Sequence, residues 1–527
     1  MIAAVEADLE LLLSPTALSL LTRVRNFLAT QSVQAYVVGG FVRDLLLARD
    51  TADIDIALAA DALEVAPRLA SALGGKYVLL DKVNRVGRVL SRRGTPQDTG
   101  QWQIDLSTLE DGIEHDLKKR DFTIDAMAID LNKITTLSPQ ALPDELAKDR
   151  LALIDPFNGL KDIQQGVIRA VSQNVFELDA ARLLRAVRLA AELGFTVSKE
   201  TEALIRHSAR LISDVAGERL REELLRLFSA PETGQLLLYL DELGLITALF
   251  PELTEARGVS QPQEHHWDVF NHSIKAVAAV DFVLRQGSWR HADESILDFV
   301  PWSAELERHF GLRVSGTSTR RLLMKLAALL HDIAKPRTKA INAEGRTRFF
   351  GHPGQGAPIA ANMLRRLRFS SREVKLVEAI VRYHLRPVQM SLNELPSHRA
   401  IYRYFRDSSD AAIDTLFFSL ADHLATRGPN LDLANWRQHA DMVGYVLAQR
   451  SKKESVVTPP KLVSGHDLIK SFNLSPGPKI GRLLEAVREA QAAAEVSSTE
   501  EALSYVNSLL TSWEEKPQPP SPGRKEV

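Results

Sequence analysis

The chain has 527 residues, of which 45% are hydrophobic and 25% charged, and its formal net charge is −2. Because a single core rarely exceeds about 300 residues, the length predicts several domains, and the small net charge means that any nucleic-acid contact must come from local basic surfaces. The chain contains no cysteine, which excludes disulfides and thiolate metal sites, so any metal must lie on His, Asp or Glu.

The first 160 residues alternate helical and strand patterns, whereas helical periodicity dominates from there on. We therefore predict an α+β head with a small mixed sheet, followed by a mostly α-helical neck and body. The predicted elements of the head are a helix within residues 1–30, strands at 35–38 and 53–58, a helix at 60–73, a strand at 76–81 and a hairpin at 87–108.

Two aspartates are predicted to share one face of the strand DIDIAL (53–58). Alternate side chains of a strand point the same way, so Asp53 and Asp55 project together while Ile54 and Ile56 face the core. Such close like charges repel unless a divalent cation lies between them, and hard oxygen ligands suit Mg²⁺. The alternative is a solvated acidic face on an edge strand. Asp105, on the alternating strand WQIDLST, is a third carboxylate that could complete the metal site.

A glycine pair lies between the first strand and a helix start. Gly39 and Gly40 follow AYVV and precede FVRDLLLA. Bare backbone N–H groups at a helix N-terminus are suited to a phosphate, and Arg43 adds a charged donor.

These motifs resemble a known superfamily. G-G-x-V-R-D (39–44), D-x-D about ten residues later, and KRDFTIDAMAID (119–130) are similar to the head of the nucleotidyltransferases that include tRNA CCA-adding enzymes and bacterial poly(A) polymerases. The resemblance implies a polymerase-β-like head in which Asp53, Asp55 and Asp105 support two-metal, template-independent nucleotidyl transfer. It also implies that the residues around the incoming nucleotide are Gly39, Gly40, Arg43, Asp44, Arg120, Asp121 and Asp125.

Two positions depart from the family pattern. Lys119 stands where the family has Arg, which keeps the charge, and Asp125 stands where Asn is usual. An ionised aspartate accepts hydrogen bonds without donating, so the expected contact of Asp125 with the sugar changes. A helix start with a capping Asp is the alternative for this segment.

The segment FELDAARLLRAVRLAAELGF (176–195) predicts one amphipathic helix, opened by Asp179 and closed by Gly194. Asp179 and Arg182 would then share a face, and an intrahelical ion pair on a solvated surface is one interpretation. The segment also resembles the family motif E-D-x-x-R-x-x-R-A-x-R-F. That resemblance implies that Asp179 and Arg182 read the base edge and choose CTP or ATP, that Arg185 and Arg188 serve phosphate or structural roles, and that residues 216–228 support this helix.

The body contains an ordered series of His and Asp. A His followed by Asp after an apolar helix, with further His and Asp on other helices, resembles the HD superfamily of metal-dependent phosphohydrolases. The resemblance implies one or two transition-metal ions, such as Mn²⁺, Ni²⁺ or Fe²⁺, that activate water. For any single His, a hydrogen-bonded core or surface histidine is the alternative. The minimal site comprises His272, His331, Asp332 and Asp422, and a second metal would add His352 and His384.

Three further segments have open interpretations. Residues 365–375 and 397–406 interleave Arg with aromatic residues, which fits either an RNA-binding face or a solvated basic helix. Residues 285–302 interrupt the helices as an inserted loop, and the sequence does not indicate its role.

The predicted domains are a nucleotidyltransferase head at 1–160, a helical neck at 161–255, an HD-type domain at 256–450, a C-terminal helical segment at 451–513 and a disordered tail at 514–527. The longest apolar runs are far shorter than the about 20 residues that span a bilayer, so we expect no membrane contact and a cytoplasmic location. The oligomeric state stays open.

The predicted function is tRNA nucleotidyl transfer that adds CCA, or part of it, to the tRNA 3′ end from CTP and ATP, with a phosphatase or phosphodiesterase activity at the HD site. A bacterial poly(A) polymerase is one alternative, although the short C-terminal tail of mixed charge favours tRNA as the substrate. An HD phosphohydrolase whose head only binds nucleotide is the other.

Overall fold

The structure is a computed structural model that describes residues 14–92, 101–135, 153–390, 395–451 and 456–514. The chain divides into two compact units, each taken here over its described residues. The first unit is Met1–Glu223 with Leu240–Leu249, and the second is Leu224–Tyr239 with Phe250–Val527. The turn of the predicted hairpin, at 93–100, and almost all of the predicted disordered tail lie outside the described residues.

A six-stranded mixed sheet forms the centre of the first unit, in the order β3-β4-β5-β2-β1-β6. β2 and β5 run parallel, and the other neighbours are antiparallel. β2 therefore lies inside the sheet, so the alternative of an edge strand for the D-x-D motif is wrong. The strands are β1 Ala35–Val38, β2 Asp53–Leu58, β3 Lys76–Asp81, β4 Val86–Arg92, β5 Gln101–Thr108 and β6 Ala128–Asp130.

Helices surround this sheet and continue beyond it. A short parallel pair, β7 Val167–Ile168 and β8 Thr196–Val197, lies among them. The helices are Pro15–Ala29, Gly40–Leu46, Ala62–Leu73, Ile113–Lys118, Leu131–Ile134, Gly159–Gln165, Val175–Leu178, Arg182–Leu193, Lys199–Ser208 and Leu245–Leu249, with 3-10 turns at Thr123–Asp125 and Ala209–Asp214. Helices Gly217–Ser229 and Thr233–Glu242 contribute residues to both units.

The second unit is helical apart from two hairpins, β9 Arg313–Ser315 with β10 Ser318–Thr319 and β11 Lys339–Ile341 with β12 Thr347–Phe349. Its remaining helices are Val269–Val283, Ala304–Gly311, Arg320–Leu330, Lys335–Thr338, His352–Arg366, Ser371–Tyr383, Arg386–Met390, His398–Ser408, Ala412–Arg427, Leu433–Ser451, Gly465–Phe472, Pro478–Ala492 and Thr499–Glu514. The 3-10 turns are Pro251–Ala256, Glu294–Phe299, Ser409–Ala411 and Gly428–Asn430. The predicted α+β head followed by a mostly helical body is confirmed.

None of the described helices is both long and apolar enough to cross a bilayer.

The predicted single helix at 176–195 is interrupted. A short helix ends at Leu178, Asp179 is extended with φ −156°, and the chain becomes helical again only at Arg182. Asp179 accepts a hydrogen bond from the Ala181 backbone N–H at 3.1 Å, which fixes the break. The prediction that Asp179 opens the long helix is therefore wrong. Gly194 ends it in the left-handed region at φ +69°, as predicted.

The segment predicted at 397–406 forms a helix with a buried aromatic face and an ion-paired basic face. Its rings at Tyr404 and Phe405 are buried, and the Tyr402 hydroxyl donates to Glu485. Its arginines form ion pairs within the chain: Arg399 with Glu495, Arg403 with Glu489 and Arg406 with Glu485. The helix thus uses its basic side to bind the helix Pro478–Ala492 and its flank.

The inserted segment at 285–302 is irregular around its 3-10 turn, as the predicted loop is, but it is packed against the body. Trp289 is only 5% exposed. The Trp436 indole N–H donates to the Ile296 carbonyl at 2.9 Å, and the Arg437 guanidinium lies over the Phe299 ring. The segment therefore covers the helix Leu433–Ser451.

Candidate active site and metal centre

Three aspartates lie on one side of the sheet in the first unit. Asp55 on β2 is opposite Asp105 on β5 in the parallel register, and Asp53 precedes Asp55 by two residues. Ile54 and Ile56, which alternate with them, are 1% and 0% exposed. The carboxylates predicted to be catalytic are therefore carried by adjacent strands.

Asp55 is the carboxylate that this arrangement affects most. Burial raises the pKa of Asp55 to about 6, Asp105 adds to the rise, and Arg120 and Arg185 oppose it. The surroundings of Asp55 thus disfavour its ionised form, and a nearby cation would stabilise that form. Asp53, by contrast, is exposed.

Arg88 is a residue that the sequence reading missed. From β4 its Nε donates to Asp105 Oδ1 at 2.7 Å and its Nη2 donates to Asp105 Oδ2 at 2.8 Å. β4 and β5 pair Arg88 directly with Asp105, so the bidentate contact follows from the register. The alternation of GRVLSRR with WQIDLST was the available signal, but it does not set the register across the turn.

The glycine turn lies against the same carboxylate. Gly39 has φ +69°, and a Cβ there would lie 2.3 Å from Arg120 Nη1 and 3.2 Å from Asp55 Oδ2. Only a residue without a side chain lets the Arg120 guanidinium approach both the turn and Asp55. Asp116 fixes Arg120 from the other side at 3.1 Å.

Arg43 is bound by two carboxylates. Its Nη1 donates to Asp125 Oδ1 at 2.6 Å, and its Nη2 lies 2.8 Å from Asp44 Oδ1. Asp125 is 3% exposed, and its Oδ2 has no hydrogen-bond partner among the described residues. Burial raises the pKa of Asp125 in spite of Arg43. A phosphate would have to compete for Arg43 with both aspartates.

Asp121 joins the segment 119–130 to the helix Arg182–Leu193. Arg185 Nε lies 3.0 Å from Asp121 Oδ2. Burial alone would raise the pKa of Asp121, but Arg185 and Arg182 outweigh it and hold that pKa below the usual value. Arg182 adds a second link, because its Nη2 donates to the Lys119 carbonyl at 2.9 Å.

Asp179 has a closer partner than the one predicted. Arg182 Nε is 3.9 Å from Asp179 Oδ2, whereas Arg219 Nη2 is 2.6 Å from the same oxygen. Despite partial burial, the hydrogen bond from Arg219 lowers the pKa of Asp179. Arg219 lies in AGERLREELLRLF, so the resemblance of that segment was the available signal.

Arg188, predicted to serve a phosphate or a structural role, is buried and paired with two glutamates. It is 4% exposed, and it pairs with Glu223 at 2.6 Å and with Glu192 at 2.5 Å. The contact with Glu223 ties two helices together, and the contact with Glu192 spans one turn of its own helix.

In the second unit, five helices carry the His and Asp series, either at their ends or within them. His331 and His384 each follow the last residue of a helix, and His352 begins one. His272 and Asp422 lie within the helices Val269–Val283 and Ala412–Arg427. All are buried except Asp422, which is partly exposed.

All six predicted ligands lie together around Asp332. The ligand atoms of His272, His331 and Asp422 lie within 4.8 Å of one another, as do those of His331, Asp332 and His384. The Nε2 atoms of His272 and His331 are 3.2 Å apart, and those of His352 and His384 are 3.4 Å apart. Asp332 separates the two pairs: its Oδ2 lies 3.1 Å from His331 and its Oδ1 lies 3.2 Å from His352.

Three of the imidazoles are oriented by their own backbone. The Nδ1 atoms of His331, His352 and His384 each lie 2.8 Å from the carbonyl oxygen three residues earlier. A carbonyl accepts only from an N–H, so Nδ1 carries a proton and Nε2 faces the centre. Once they are deprotonated at Nε2, the facing imidazoles suit a cation between them. The donor set of imidazole and carboxylate therefore fits a divalent transition metal.

Electrostatic effects at this centre are strong. Although burial opposes it, Asp332 and Asp422 raise the pKa of His331 to about 10. Burial and the positive charge of His331 lower the pKa of His384 to about 3. The histidines and aspartates thus compensate one another within one buried cluster.

Lys335 and His265 are two neighbours of this centre that the sequence reading missed. Lys335 Nζ lies 2.6 Å from Asp332 Oδ2 and 2.6 Å from Gln261 Oε1. His265 packs edge-on against His272 with ring centroids 5.4 Å apart. Lys335 follows Asp332 by one helical turn in HDIAKP, which was the available signal.

Three protein-family models match the chain. Residues 35–169 match the poly A polymerase head domain, and residues 194–257 match the probable RNA- and SrmB-binding site of polymerase A. Residues 302–427 match the HD domain.

Relatives are similar to the chain over most of their length. The A-adding tRNA nucleotidyltransferase of Deinococcus radiodurans is 31% identical over 478 residues, which covers 90% of this chain and 94% of that protein. The CC-adding tRNA nucleotidyltransferase of Thermus thermophilus is 31% identical over 487 residues, which covers 90% and 93%.

Solved structures share the fold. The Thermotoga maritima CCA-adding enzyme complexed with tRNA aligns with a TM-score of 0.58 and 22% identity over 94% of this chain and 96% of that one. A CCA-adding enzyme in complex with CTP aligns with a TM-score of 0.61 and 22% identity over the same shares.

Proposed function

Because this chain belongs to the tRNA nucleotidyltransferases of the CCA-adding and poly(A) polymerase family, we propose that its head adds all or part of CCA to the 3′ end of tRNA, using CTP and ATP. The register of Asp55 opposite Asp105, beside Gly39 and Arg120, carries this proposal. It provides acidic oxygens and a guanidinium beside the glycine turn.

Each group has one task in the proposed reaction. The 3′-hydroxyl oxygen of the RNA attacks the α-phosphorus of the nucleotide, and the bond from that phosphorus to pyrophosphate breaks. Arg120 would stabilise the negative charge that accumulates on the leaving pyrophosphate. Asp121, held by Arg185, would position the ribose.

Mg²⁺ is the metal we propose for the head, since hard carboxylate oxygens form the site. Asp53, Asp55 and Asp105 would hold it. When bound, it would lower the pKa of the attacking hydroxyl and neutralise the leaving group. Arg88 already compensates Asp105, so Asp53 and Asp55 would contribute most of the uncompensated charge.

The proposed site of base selection is the non-helical break that begins at Asp179 and ends where the helix Arg182–Leu193 starts. Asp179 supplies acceptor oxygens, and Arg182 supplies donors that are held near Lys119. A site that pairs the polar edge of a base rejects an analogue that leaves those groups unpaired. The two relatives named above add either A or CC, which supports partial addition by this chain as well.

The decisive experiment incubates the protein with labelled CTP and ATP and with two tRNA substrates. One lacks CCA, and the other ends in CC. Incorporation of both nucleotides in order would mean complete CCA addition. ATP incorporation onto CC-ended tRNA alone would mean an A-adding enzyme, and CTP alone would mean a CC-adding enzyme. Long homopolymer tails would replace the proposal with the poly(A) polymerase alternative, and no incorporation would refute it.

A second activity is favoured by the His and Asp cluster around Asp332. We propose that it binds one or two ions such as Mn²⁺, Ni²⁺ or Fe²⁺ and hydrolyses phosphate esters. Water attacks phosphorus, the ester P–O bond breaks, and the leaving oxygen takes a proton. The three Nδ1-to-carbonyl contacts support this role, because they leave the Nε2 atom of each of those rings free to bind.

The domain boundaries given from the sequence remain our proposal. A head at 1–160, a neck at 161–255, an HD-type domain at 256–450 and a C-terminal segment at 451–513 can be tested by limited proteolysis of the full chain. The cleavage sites should fall near those boundaries.

A further inference from the structure

The hairpin of β11 and β12 exposes two large apolar side chains. Phe350, which directly follows β12, is 73% exposed, and Ile341 at the end of β11 is 70% exposed. Both values exceed those of nearly all other exposed large apolar side chains among the described residues, where only Val83 is higher at 91%. Two exposed large apolar side chains on one short hairpin mark it as a candidate interaction site.

The base of the hairpin is attached directly to the His and Asp centre. The carbonyl of Phe349 accepts the Nδ1 proton of His352 at 2.8 Å. The Lys335 ammonium lies 5.4 Å from the centre of the Phe349 ring and 2.6 Å from Asp332 Oδ2. A molecule held by the hairpin would therefore lie beside the metal ligands.

The hairpin is also basic. Arg348 lies in its second strand and Arg346 directly precedes that strand, and Lys339 faces Phe349 across the pair. Neither arginine forms an ion pair with a described residue, whereas Arg337 at the base is neutralised by Glu255 at 2.8 Å. Glu344 in the turn is the single acidic side chain between Lys339 and Phe350. Net positive charge next to an exposed ring fits a polyanion better than an apolar protein surface.

We propose that this hairpin is the docking element that brings the phosphorylated end of a single-stranded RNA to the His and Asp centre. Phe350 stacks on a base, and Arg346 and Arg348 bind the backbone phosphates. Stacking and charge recognise any base, so the element is tolerant of sequence. The substrate class of the centre would then be a terminal phosphate on RNA. This inference rests on the proposed phosphohydrolase function.

A binding test that does not need hydrolysis uses the full chain in EDTA. A photoreactive benzoylphenylalanine is placed at position 350, and a single-stranded RNA hexamer with a 3′-phosphate is the probe. We expect a crosslink at 350 that excess unlabelled hexamer abolishes. The matched control places the same group at Leu312, which is 54% exposed next to the other hairpin. Equal crosslinking at both positions, or none at 350, would overturn the proposal.

A kinetic test separates docking from catalysis. With Mn²⁺ and the same hexamer, Phe350→Ala should raise KM about tenfold and leave kcat within about twofold, since stacking binds the substrate without touching the reacting atoms. Phe350→Trp should restore KM, and Phe350→Leu should not. Leu312→Ala should behave as the unchanged protein. A normal KM in Phe350→Ala refutes the proposal.

Two outcomes distinguish the RNA-docking proposal from the phosphohydrolase proposal and from a protein interface at Phe350. If the unchanged protein hydrolyses no phosphorylated RNA but still crosslinks at 350, the phosphohydrolase function fails and the docking site stands. If Phe350→Ala changes the sedimentation coefficient of the protein without changing KM, the ring belongs to a protein interface and the RNA proposal fails.

Discussion

Asp55 on β2 lies directly opposite Asp105 on β5, and only Asp105 has a bidentate arginine partner. The two carboxylates have the same chemistry and adjacent positions, yet they differ in electrostatic environment. Asp105 is neutralised before any cation binds, whereas Asp55 is left partly buried with a raised pKa.

Asp55→Asn should stabilise the protein when no metal is present. The pKa of Asp55 is about 6 in the folded state, above the ordinary 3.8. A carboxyl group with a raised pKa in the folded state contributes stability that is complete below pH 3.8. This contribution is lost as the pH rises through about 6. At pH 7.5 in EDTA, Asp55→Asn should raise the urea midpoint, with a gain of at most about 3 kcal/mol. It should also abolish nucleotide incorporation.

Asp105→Asn is the matched control. It removes the same charge from the opposite strand but leaves Arg88 without its bidentate partner. We expect a lower urea midpoint in EDTA, the reverse of Asp55→Asn. Equal shifts of the same sign would show that the environment of Asp55 is not the cause.

Arg182→Ala should relax base choice. The Nη2 atom of Arg182 donates to the Lys119 carbonyl, and its Nε lies 3.9 Å from Asp179 Oδ2. Its loss should reduce the ratio of kcat/KM between the preferred and the rejected nucleotides by about tenfold or more, with a smaller change in triphosphate affinity. Arg206→Ala is the control, because Arg206 pairs with Glu202 within its own helix, Lys199–Ser208. Unchanged selectivity would exclude Arg182 as the base reader.

Asp125→Asn should preserve activity and flatten its pH dependence. Burial raises the pKa of Asp125, so the protonated form, which donates a hydrogen bond as Asn does, persists to higher pH than for an ordinary aspartate. As pH rises through that pKa, the donor is lost. We expect discrimination of ATP over dATP to fall with rising pH in the unchanged protein and to stay constant in Asp125→Asn. Parallel pH profiles would contradict the donor role.

Removing a ligand of the second centre should leave the head active. His331→Ala removes a ligand shared by both groups of clustered atoms, so bound Mn²⁺ measured by mass spectrometry should fall to background. CTP and ATP incorporation should remain within about twofold, because the head has its own carboxylates. His309→Ala is the control, since His309 pairs with Asp414 outside the cluster at 3.1 Å. Metal retained in His331→Ala would exclude this centre as the binding site.

Arg403→Ala should not reduce RNA binding. Its guanidinium pairs with Glu489 within the chain. The slope of log affinity for tRNA against log salt concentration should therefore be unchanged, whereas an arginine that contacts a phosphate would lower it by about one unit. Arg403→Ala should instead expose the C-terminal helices to faster hydrogen exchange. A reduced salt slope would return this helix to the RNA-binding interpretation.

The sequence predicted local features well and long-range pairings poorly. The strand 53–58, its alternation, and the order of the His and Asp residues were readable, because neighbouring residues determine them. The pairing of Arg88 with Asp105 depends on the register between two strands, and that of Arg219 with Asp179 joins residues 40 apart. The break at Asp179 does not follow from the capping pattern, because Asp179 accepts from the Ala181 backbone N–H and the helix begins only at Arg182.

The contacts from Nδ1 to the preceding carbonyl have a consequence for how such chains can vary. The backbone carbonyl three residues earlier fixes the orientation of each ring. One residue added to a helix rotates the residues that follow it by about 100° about the helix axis. Insertions inside Arg320–Leu330 or Ser371–Tyr383 would move His331 or His384 out of register with Asp332, whereas exposed side chains such as Arg372 and Lys375 on the second helix can vary freely. Helix length, more than surface identity, is what natural selection must keep constant here.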